Sequence, residues 1–205
     1  MNPGENTPFT TEAIVMGASA GGYAAIVESL QNLPGTFPLP IFLVQHLHSS
    51  DAGLFAEHLA EHVPLSVNEP CDKEQIKGGV IYIAPANYHM AIERGGTISL
   101  SVGERVNWSR PSIDVLFESA ALVYGPGLLA VILSGANADG ARGALMVQQR
   151  GGRVLVQDPA TADSPVMPRA TMELLGIAEG LSLKMIGAHL AAASPDHTGQ
   201  GIHKD

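Results

Sequence analysis

The chain has 205 residues, of which 45% are hydrophobic and only 15% are charged, which suits one globular domain with a sizeable core. Its net charge of −9 argues against general binding to nucleic acids or anionic membranes, and no apolar run is long enough for membrane insertion. The single cysteine, Cys71, excludes an internal disulfide, so we expect a reducing, cytoplasmic location.

Short apolar runs alternate with helix-like segments along most of the chain. A polar leader over residues 1–10, expected to be flexible, precedes a strand at 13–16 and a helix at 23–30. Further strands are predicted at 41–46, 65–67, 79–84, 127–133 and 153–157, with a hairpin at 89–92 and 97–101. Further helices are predicted at about 51–62, 111–124, 141–150, 169–175 and 182–193, before a flexible tail at 194–205.

This alternation predicts an α/β fold with a doubly wound, mainly parallel sheet, helices on both faces and an antiparallel hairpin appendage. We expect residues 11–193 to form a single domain. The helix that ends near His62 is expected to begin at a cap formed by Ser49, Ser50 or Asp51.

The first strand leads directly into a turn of small residues, in which Gly17, Ser19 and Gly21 match the G-x-S-x-G pattern of a nucleophile elbow. A serine on a sharp turn needs small neighbours, and the following helix directs its free N–H groups and positive dipole end towards the same point. Small-residue turns after a first strand also bind phosphate or serve only as turns. Both interpretations stay open on this stretch alone.

Two further polar residues follow predicted strands. His46 ends the second strand, and Asp139 lies in the loop after the strand at 127–133. Side chains at the carboxyl ends of neighbouring parallel strands meet at one crest of the sheet, so Ser19, His46 and Asp139 are predicted to converge there. Histidine can accept the proton of a serine hydroxyl, and aspartate can orient the imidazole. Taken singly, each residue could instead be a turn, strand-edge or helix-cap residue.

The segment from His58 to His62 matches the H-x-x-E-H zinc pattern. The same residues fit the solvated side of an amphipathic helix, and this interpretation is preferred. We therefore predict no metal.

Several motifs together resemble the catalytic domain of the CheB family, the chemotaxis protein-glutamate methylesterases. The matching segments, in the family's order, are residues 17–22, 44–46, 80–85 with His89, 110–117, 134–140, 157–158 and 167–170. The resemblance implies hydrolysis of glutamate γ-methyl esters on methylated chemoreceptors, and possibly glutamine deamidation, without a cofactor. It places the catalytic residues at Ser19, His46 and Asp139, and the oxyanion and active-site loops at Ala20, Gly21, Ala136 and Asn137.

Some positions depart from the family's pattern. Ala136 replaces a methionine, Asn137 replaces a glycine while tolerating positive φ, and Ala20 replaces a threonine. Only about ten residues precede the first strand, so no receiver domain is expected in this chain. The alternatives are a weakened or inactive CheB-like module that docks a receptor or signalling partner, and a nucleotide-binding α/β domain.

Three arginines are candidates for contacting an acidic receptor helix: Arg110, Arg142 and Arg169. The competing interpretation is that they are ordinary surface arginines.

Overall fold

The computed structural model describes residues 10–48 and 50–193. Its strands are β1 (Ala13–Ala18), β2 (Ile41–Gln45), β3 (Ser66–Asn68), β4 (Val80–Ile83), β5 (His89–Glu93), β6 (Thr97–Ser101), β7 (Leu128–Ile132) and β8 (Arg153–Val156). Its helices are α1 (Gly22–Leu30), α2 (Leu54–Ala60), α3 (Ile113–Tyr124), α4 (Ala141–Gln149), α5 (Val166–Leu175) and α6 (Leu183–Ala192).

The main sheet has six strands in the order β3-β4-β2-β1-β7-β8, and all its pairings are parallel. Strands β5 and β6 form a separate antiparallel pair. The predicted fold class is therefore confirmed. Strand β1 lies between β2 and β7, where the strand order reverses direction, so its carboxyl end opens into the crevice where such sheets bind ligands.

Two hydrophobic clusters cover the two faces of the sheet. Alternate residues of β1 point to opposite faces, so Ile14 and Met16 join the cluster with α1, α2 and α6, whereas Val15 joins the cluster with α3, α4 and α5. All six residues of β1 are buried. Burial on both faces explains why this strand reads as a continuous apolar run rather than an alternating one.

Two predicted helix starts are wrong. Helix α2 begins only at Leu54, because Gly53 adopts a left-handed conformation with φ 91° and no side chain caps the helix. Asp51 instead accepts a hydrogen bond from the Gly53 N–H, and Ser49 lies outside the described residues. Helix α5 begins at Val166 rather than near Arg169, since Pro168 in the first turn has no N–H that needs an intrahelical acceptor.

The predicted leader and tail lie outside the described residues except for Thr10, which is exposed. Within residues 10–48 and 50–193, no helix combines the length and apolar character needed to cross a membrane.

Candidate active site

The turn after β1 lifts Ser19 above the sheet between two glycines that no other residue could replace without rearrangement. Gly21 has φ 71°, and a Cβ there would collide with the Cβ of Asp163. A Cβ on Gly17 would collide with the side chain of Ile113. The Ser19 N–H donates to the Ser134 carbonyl at 2.9 Å, which ties the turn to the loop after β7.

Gln45, the last residue of β2, fixes this turn from the second strand. Its Nε2 donates to the Ser19 carbonyl at 2.8 Å and to the His46 carbonyl at 3.1 Å. Its Oε1 is buried without a hydrogen-bond partner among the described residues, next to Gly22. Exchanging the side-chain nitrogen and oxygen of Gln45 would place an oxygen against the carbonyls of Ser19 and His46, so the observed orientation of the amide is the favourable one.

The structure brings Ser19, His46 and Asp139 together in one hydrogen-bonded line. The Oγ of Ser19 lies 3.2 Å from Nδ1 of His46, and Nε2 of His46 lies 2.9 Å from Oδ2 of Asp139. With the proton on Nε2, the imidazole donates to the carboxylate and Nδ1 is free to accept from the serine hydroxyl. The His46 side chain is 13% exposed and that of Asp139 is 0% exposed, so the relay runs from the surface inward.

Asp139 is held by donors on both carboxylate oxygens. Besides His46, the donors are Asn107 Nδ2 at 2.9 Å, Ser112 Oγ at 2.8 Å, and the backbone N–H groups of Ile113 at 2.7 Å and Asp114 at 3.3 Å. The two backbone donors belong to the first turn of α3, whose dipole also favours a negative charge. Burial alone would raise the pKa of Asp139, but these donors, led by the imidazole, outweigh burial and hold the pKa below its ordinary value.

A second buried carboxylate, Asp114, lies behind Asp139. Its Oδ1 accepts from the N–H groups of Gly140 and Gly143, at 2.9 and 2.7 Å, and so fixes the start of α4. Burial is the largest influence on the pKa of Asp114 and raises it, with the charge of Asp139 adding to the rise. The amide of Asn107 donates to Oδ2 of Asp114 at 2.8 Å and therefore bridges the two carboxylates.

Sequence reasoning missed the roles of Asn107, Ser112 and Asp114. In the sequence, Ser112 and Asp114 belong to a predicted helix start and to one of the segments that carry the family resemblance, whereas Asn107 lies between the predicted strand at 97–101 and the predicted helix at 111–124. An aspartate in the first turn of a predicted helix indicates only a helix start, because its burial is not visible in the sequence. No local pattern indicates that the Asn107 side chain contacts Asp139.

The loop after β7 lies beside the serine turn. The Ser134 hydroxyl donates to the Ala20 carbonyl at 2.7 Å and accepts from the Ser164 N–H at 2.9 Å. Ala20, Gly21 and Ala136 are exposed, and within the described part of the chain the N–H groups of Ala20 and Ala136 have no acceptor. Free N–H groups directed at the reacting carbonyl stabilise an oxyanion, and Ala20 next to Ser19 and Ala136 in the loop bonded to the serine turn are the candidates.

Asn137 does not use the positive φ that was expected of a glycine replacement. The described non-glycine residues with positive φ are Lys73, Asn87, Asn107 and Trp108. Instead, Oδ1 of Asn137 accepts from the Asp139 N–H at 3.1 Å, so the side chain closes the turn that carries the carboxylate.

Two depressions flank the triad. A small one of about 120 Å³ contains His46 together with Arg105, Trp108 and Arg110. A wider one of about 490 Å³ contains Asn107, Asp114 and Arg142.

The three arginines predicted to contact a receptor lie at three different places. Arg110 lies beside the triad histidine, and Arg142 lies in the neighbouring depression. Arg169 is exposed on α5 and lines neither depression.

In the H-x-x-E-H segment, the imidazole of His62 contacts protein groups. Nδ1 of His62 lies 2.9 Å from the His58 carbonyl and 3.1 Å from the hydroxyl of Tyr23. Among the described residues, no group of three histidine, cysteine, aspartate or glutamate side chains has an arrangement that could hold a metal ion.

Comparison with known proteins gives consistent matches. The family model described as CheB methylesterase matches residues 14–190. A Leptospira interrogans protein that carries the name of a protein-glutamate methylesterase/protein-glutamine glutaminase is 47% identical over 175 residues, which cover 85% of this chain and 91% of that protein. The Pseudomonas aeruginosa protein-glutamate methylesterase/protein-glutamine glutaminase 2 is 40% identical over 88% of this chain, which spans 52% of the Pseudomonas protein.

The crystal structure of the Thermotoga maritima CheB methylesterase catalytic domain superposes with a TM-score of 0.84 at 32% identity. The match covers 89% of this chain and 98% of the Thermotoga domain. Sequence, fold and the extent of the match agree, and the chain therefore belongs to the CheB methylesterase family of enzymes.

Proposed function

We propose that this protein hydrolyses glutamate γ-methyl esters on a protein substrate, with Ser19, His46 and Asp139 as its catalytic residues. The observation that carries the proposal is the unbroken hydrogen-bonded line from the Ser19 hydroxyl through His46 to Asp139. Family membership supports the reaction type, since the matched relatives carry methylesterase/glutaminase names.

In the first step, Oγ of Ser19 attacks the ester carbonyl while Nδ1 of His46 takes the hydroxyl proton. Asp139 keeps the other imidazole proton on Nε2 and stabilises the cation that forms. The N–H of Ala20 and a backbone group near Ala136 stabilise the negative oxygen of the tetrahedral intermediate.

The intermediate then collapses. The imidazolium returns its proton to the methoxy oxygen, methanol leaves, and an ester joins Ser19 to the glutamyl side chain. Water attacks this acyl-enzyme while His46 accepts a proton from it. The imidazolium then returns the proton to Oγ of Ser19, and the products are the restored serine and a glutamate residue of the substrate protein with a free γ-carboxylate. Glutamine deamidation follows the same steps with ammonia as the leaving group, so one site accounts for both activities in the relatives' names.

The proposed partner is a methylated chemoreceptor or a related signalling protein in the cytoplasm. Arg110 beside His46 and Arg142 in the adjoining depression support a role in recognising an acidic protein segment. Arg169 is a weaker candidate, because it lines neither depression.

The alternative of an inactive docking module rests on the altered loop at Ala136 and Asn137. The hydrogen-bonded triad and the free N–H groups of Ala20 and Ala136 favour an active enzyme instead. A fluorophosphonate probe separates the two: wild type is expected to be labelled at Ser19, as located by peptide mass analysis. Labelling equal to that of Ser19→Ala would reject the proposed function.

A further inference from the structure

The loop between β6 and α3 contains a tight two-residue turn next to the triad. The backbones of Val106 and Ser109 exchange both hydrogen bonds, at 3.1 and 2.9 Å. The two residues between them, Asn107 and Trp108, have φ values of 50° and 64°. Positive φ at both central positions is the signature of a type I′ turn, which strongly prefers Asn-Gly.

Trp108 therefore stands at the position where such a turn favours glycine. Positive φ is an unfavourable backbone conformation for a residue with a bulky side chain. The protein gains no packing in return, because Trp108 is 91% exposed, the highest exposure among the large hydrophobic residues described. Trp108 lies near the Ser19–His46–Asp139 triad in an unfavourable backbone conformation and without packing contacts. This combination suggests that its indole packs against a binding partner.

The position of the turn relates Trp108 to the reaction. Trp108 lines the depression that contains His46. On the inner side of the same turn, the amide of Asn107 donates to Asp139 at 2.9 Å, which anchors the turn to the triad. A protein segment that brings a side chain to Ser19 would thus pass close to the indole.

The charges at this depression indicate what kind of segment fits. Arg105 and Arg110 line it with Trp108, and in the described part of the chain neither arginine forms an ion pair with a carboxylate. Nη1 of Arg110 donates to the carbonyls of Val102 and Gly103, and its Nε is buried without a partner. Unpaired arginines are notable in a chain of net charge −9, and they favour an acidic partner.

We infer that Trp108, Arg105 and Arg110 form the surface that recognises the protein substrate, by contact with an acidic segment that flanks the reacting glutamyl ester. The indole packs on the aliphatic parts of that segment and the guanidinium groups contact its carboxylates, a combination typical of binding hot spots. The inference rests on the proposed esterase function and names the residues that select its substrate.

The test compares two substrates of one enzyme. One is a synthetic peptide with a single glutamate γ-methyl ester flanked by glutamates, and the other is N-acetylglutamate γ-methyl ester amide. The variant is Trp108→Gly, because glycine suits the turn and preserves its backbone. The ratio of kcat/KM for the peptide to kcat/KM for the small ester is expected to fall about tenfold.

Arg105→Ala is expected to lower the same ratio, and added salt should lower it for wild type. Leu122→Ala and Arg94→Ala are the matched controls, since Leu122 is 46% exposed on α3 and Arg94 is exposed in the β5–β6 turn. Both controls should keep the wild-type ratio. An unchanged ratio in Trp108→Gly overturns the inference, including the case in which both substrates are affected equally. Failure of the proposed function is recognised separately, as hydrolysis of the small ester by Ser19→Ala at the wild-type rate.

Discussion

The side-chain amide of Asn107 lies 2.9 Å from Oδ1 of Asp139, so a surface turn reaches a carboxylate that has no exposed area. The same amide lies 2.8 Å from Oδ2 of Asp114. Two buried carboxylates are thereby joined through one pair of N–H donors, which stabilise the charge of each. Asn107 is a positioning residue in this arrangement, because it acts on the substrate only through Asp139.

Asn107→Gly tests this relationship without disturbing the turn, since glycine tolerates φ 50° but has no amide side chain. We expect kcat to fall about tenfold or more while KM stays nearly constant, because the triad loses orientation rather than substrate contacts. Steady-state kinetics on the small ester provides the measurement.

Lys73→Gly is the control for Asn107→Gly. It also replaces a residue of positive φ, 66°, and Lys73 pairs with Glu93 beside the β5–β6 turn, at the other end of the hairpin from His89. Its kcat should match that of wild type. A fall in thermal stability of Asn107→Gly with unchanged kcat would mean that the amide is only structural.

Asp139→Asn tests the carboxylate itself. Asparagine offers an NH₂ group where the imidazole and the Ile113 N–H need an acceptor, so the histidine tautomer is no longer fixed. By analogy with other serine triads, kcat at neutral pH is expected to fall by about 10³- to 10⁴-fold. Near-normal methanol release by the variant would remove Asp139 from the triad.

The same variant gives a prediction on stability and pH. The pKa of Asp139 is lowered in the folded state, so the stability that its charge contributes is present above the pKa of an unfolded aspartate, about 3.9. It is lost as pH falls through the lower folded pKa. Urea denaturation should therefore show the difference in free energy of unfolding between wild type and Asp139→Asn narrowing as pH is lowered from neutrality to about 3.

Two features keep that comparison interpretable. The pKa of Asp114 is raised, mainly by burial, and this gives the opposite dependence on pH. Burial acts in both proteins and cancels, whereas the smaller rise caused by the charge of Asp139 is lost in Asp139→Asn. Asp72→Asn, at an exposed aspartate whose Oδ1 accepts from the Leu100 N–H, is the control for loss of a carboxylate. A difference for Asp139→Asn that stays constant or widens on acidification would contradict the role assigned to the donors around Asp139.

Gly21→Ala tests the geometry of the serine turn. An alanine at this position would have to adopt a φ of 71°, and its methyl group would collide with Asp163. Gly96 offers a matched control, since its φ is 75° but nothing lies within 4 Å of an added Cβ. Gly96→Ala is expected to cost about 1 kcal/mol, and Gly21→Ala about 1–3 kcal/mol more, together with slower labelling by the serine probe. An equal loss of unfolding free energy in Gly21→Ala and Gly96→Ala would mean that the serine turn shifts to make room for the methyl group at little cost.

The strand and turn that carry Ser19, and the positions of His46 and Asp139 at strand ends, could be predicted because each depends on a short stretch of sequence. Strand β1 is apolar throughout and is followed by small residues, so both the strand and the turn were predictable, as was the placement of His46 and Asp139 at strand ends. The helix start at Leu54 could not be predicted, because residues 49–51 are favourable cap types in the sequence. In the structure, Gly53 precedes the helix in a left-handed conformation and no side chain caps it.

The support around Asp139 could not be predicted in the same way. Asn107 is 32 residues from Asp139 in the chain, and their contact depends on how the β6–α3 loop folds back. The turn at Asn107 and Trp108 has no glycine, so it lacks the usual sequence signature of its class. Asn137 was expected to replace a glycine through positive φ, and instead closes the turn through its side-chain oxygen.

The most direct test of the account is methanol release from a peptide that contains one glutamate γ-methyl ester. Wild type is expected to release methanol in amounts far exceeding the enzyme, and Ser19→Ala to lose activity by about 10⁴-fold or more, because the nucleophile is removed. Equal rates for wild type and Ser19→Ala would contradict the central claim that the Ser19 hydroxyl, activated by His46 and Asp139, attacks the ester.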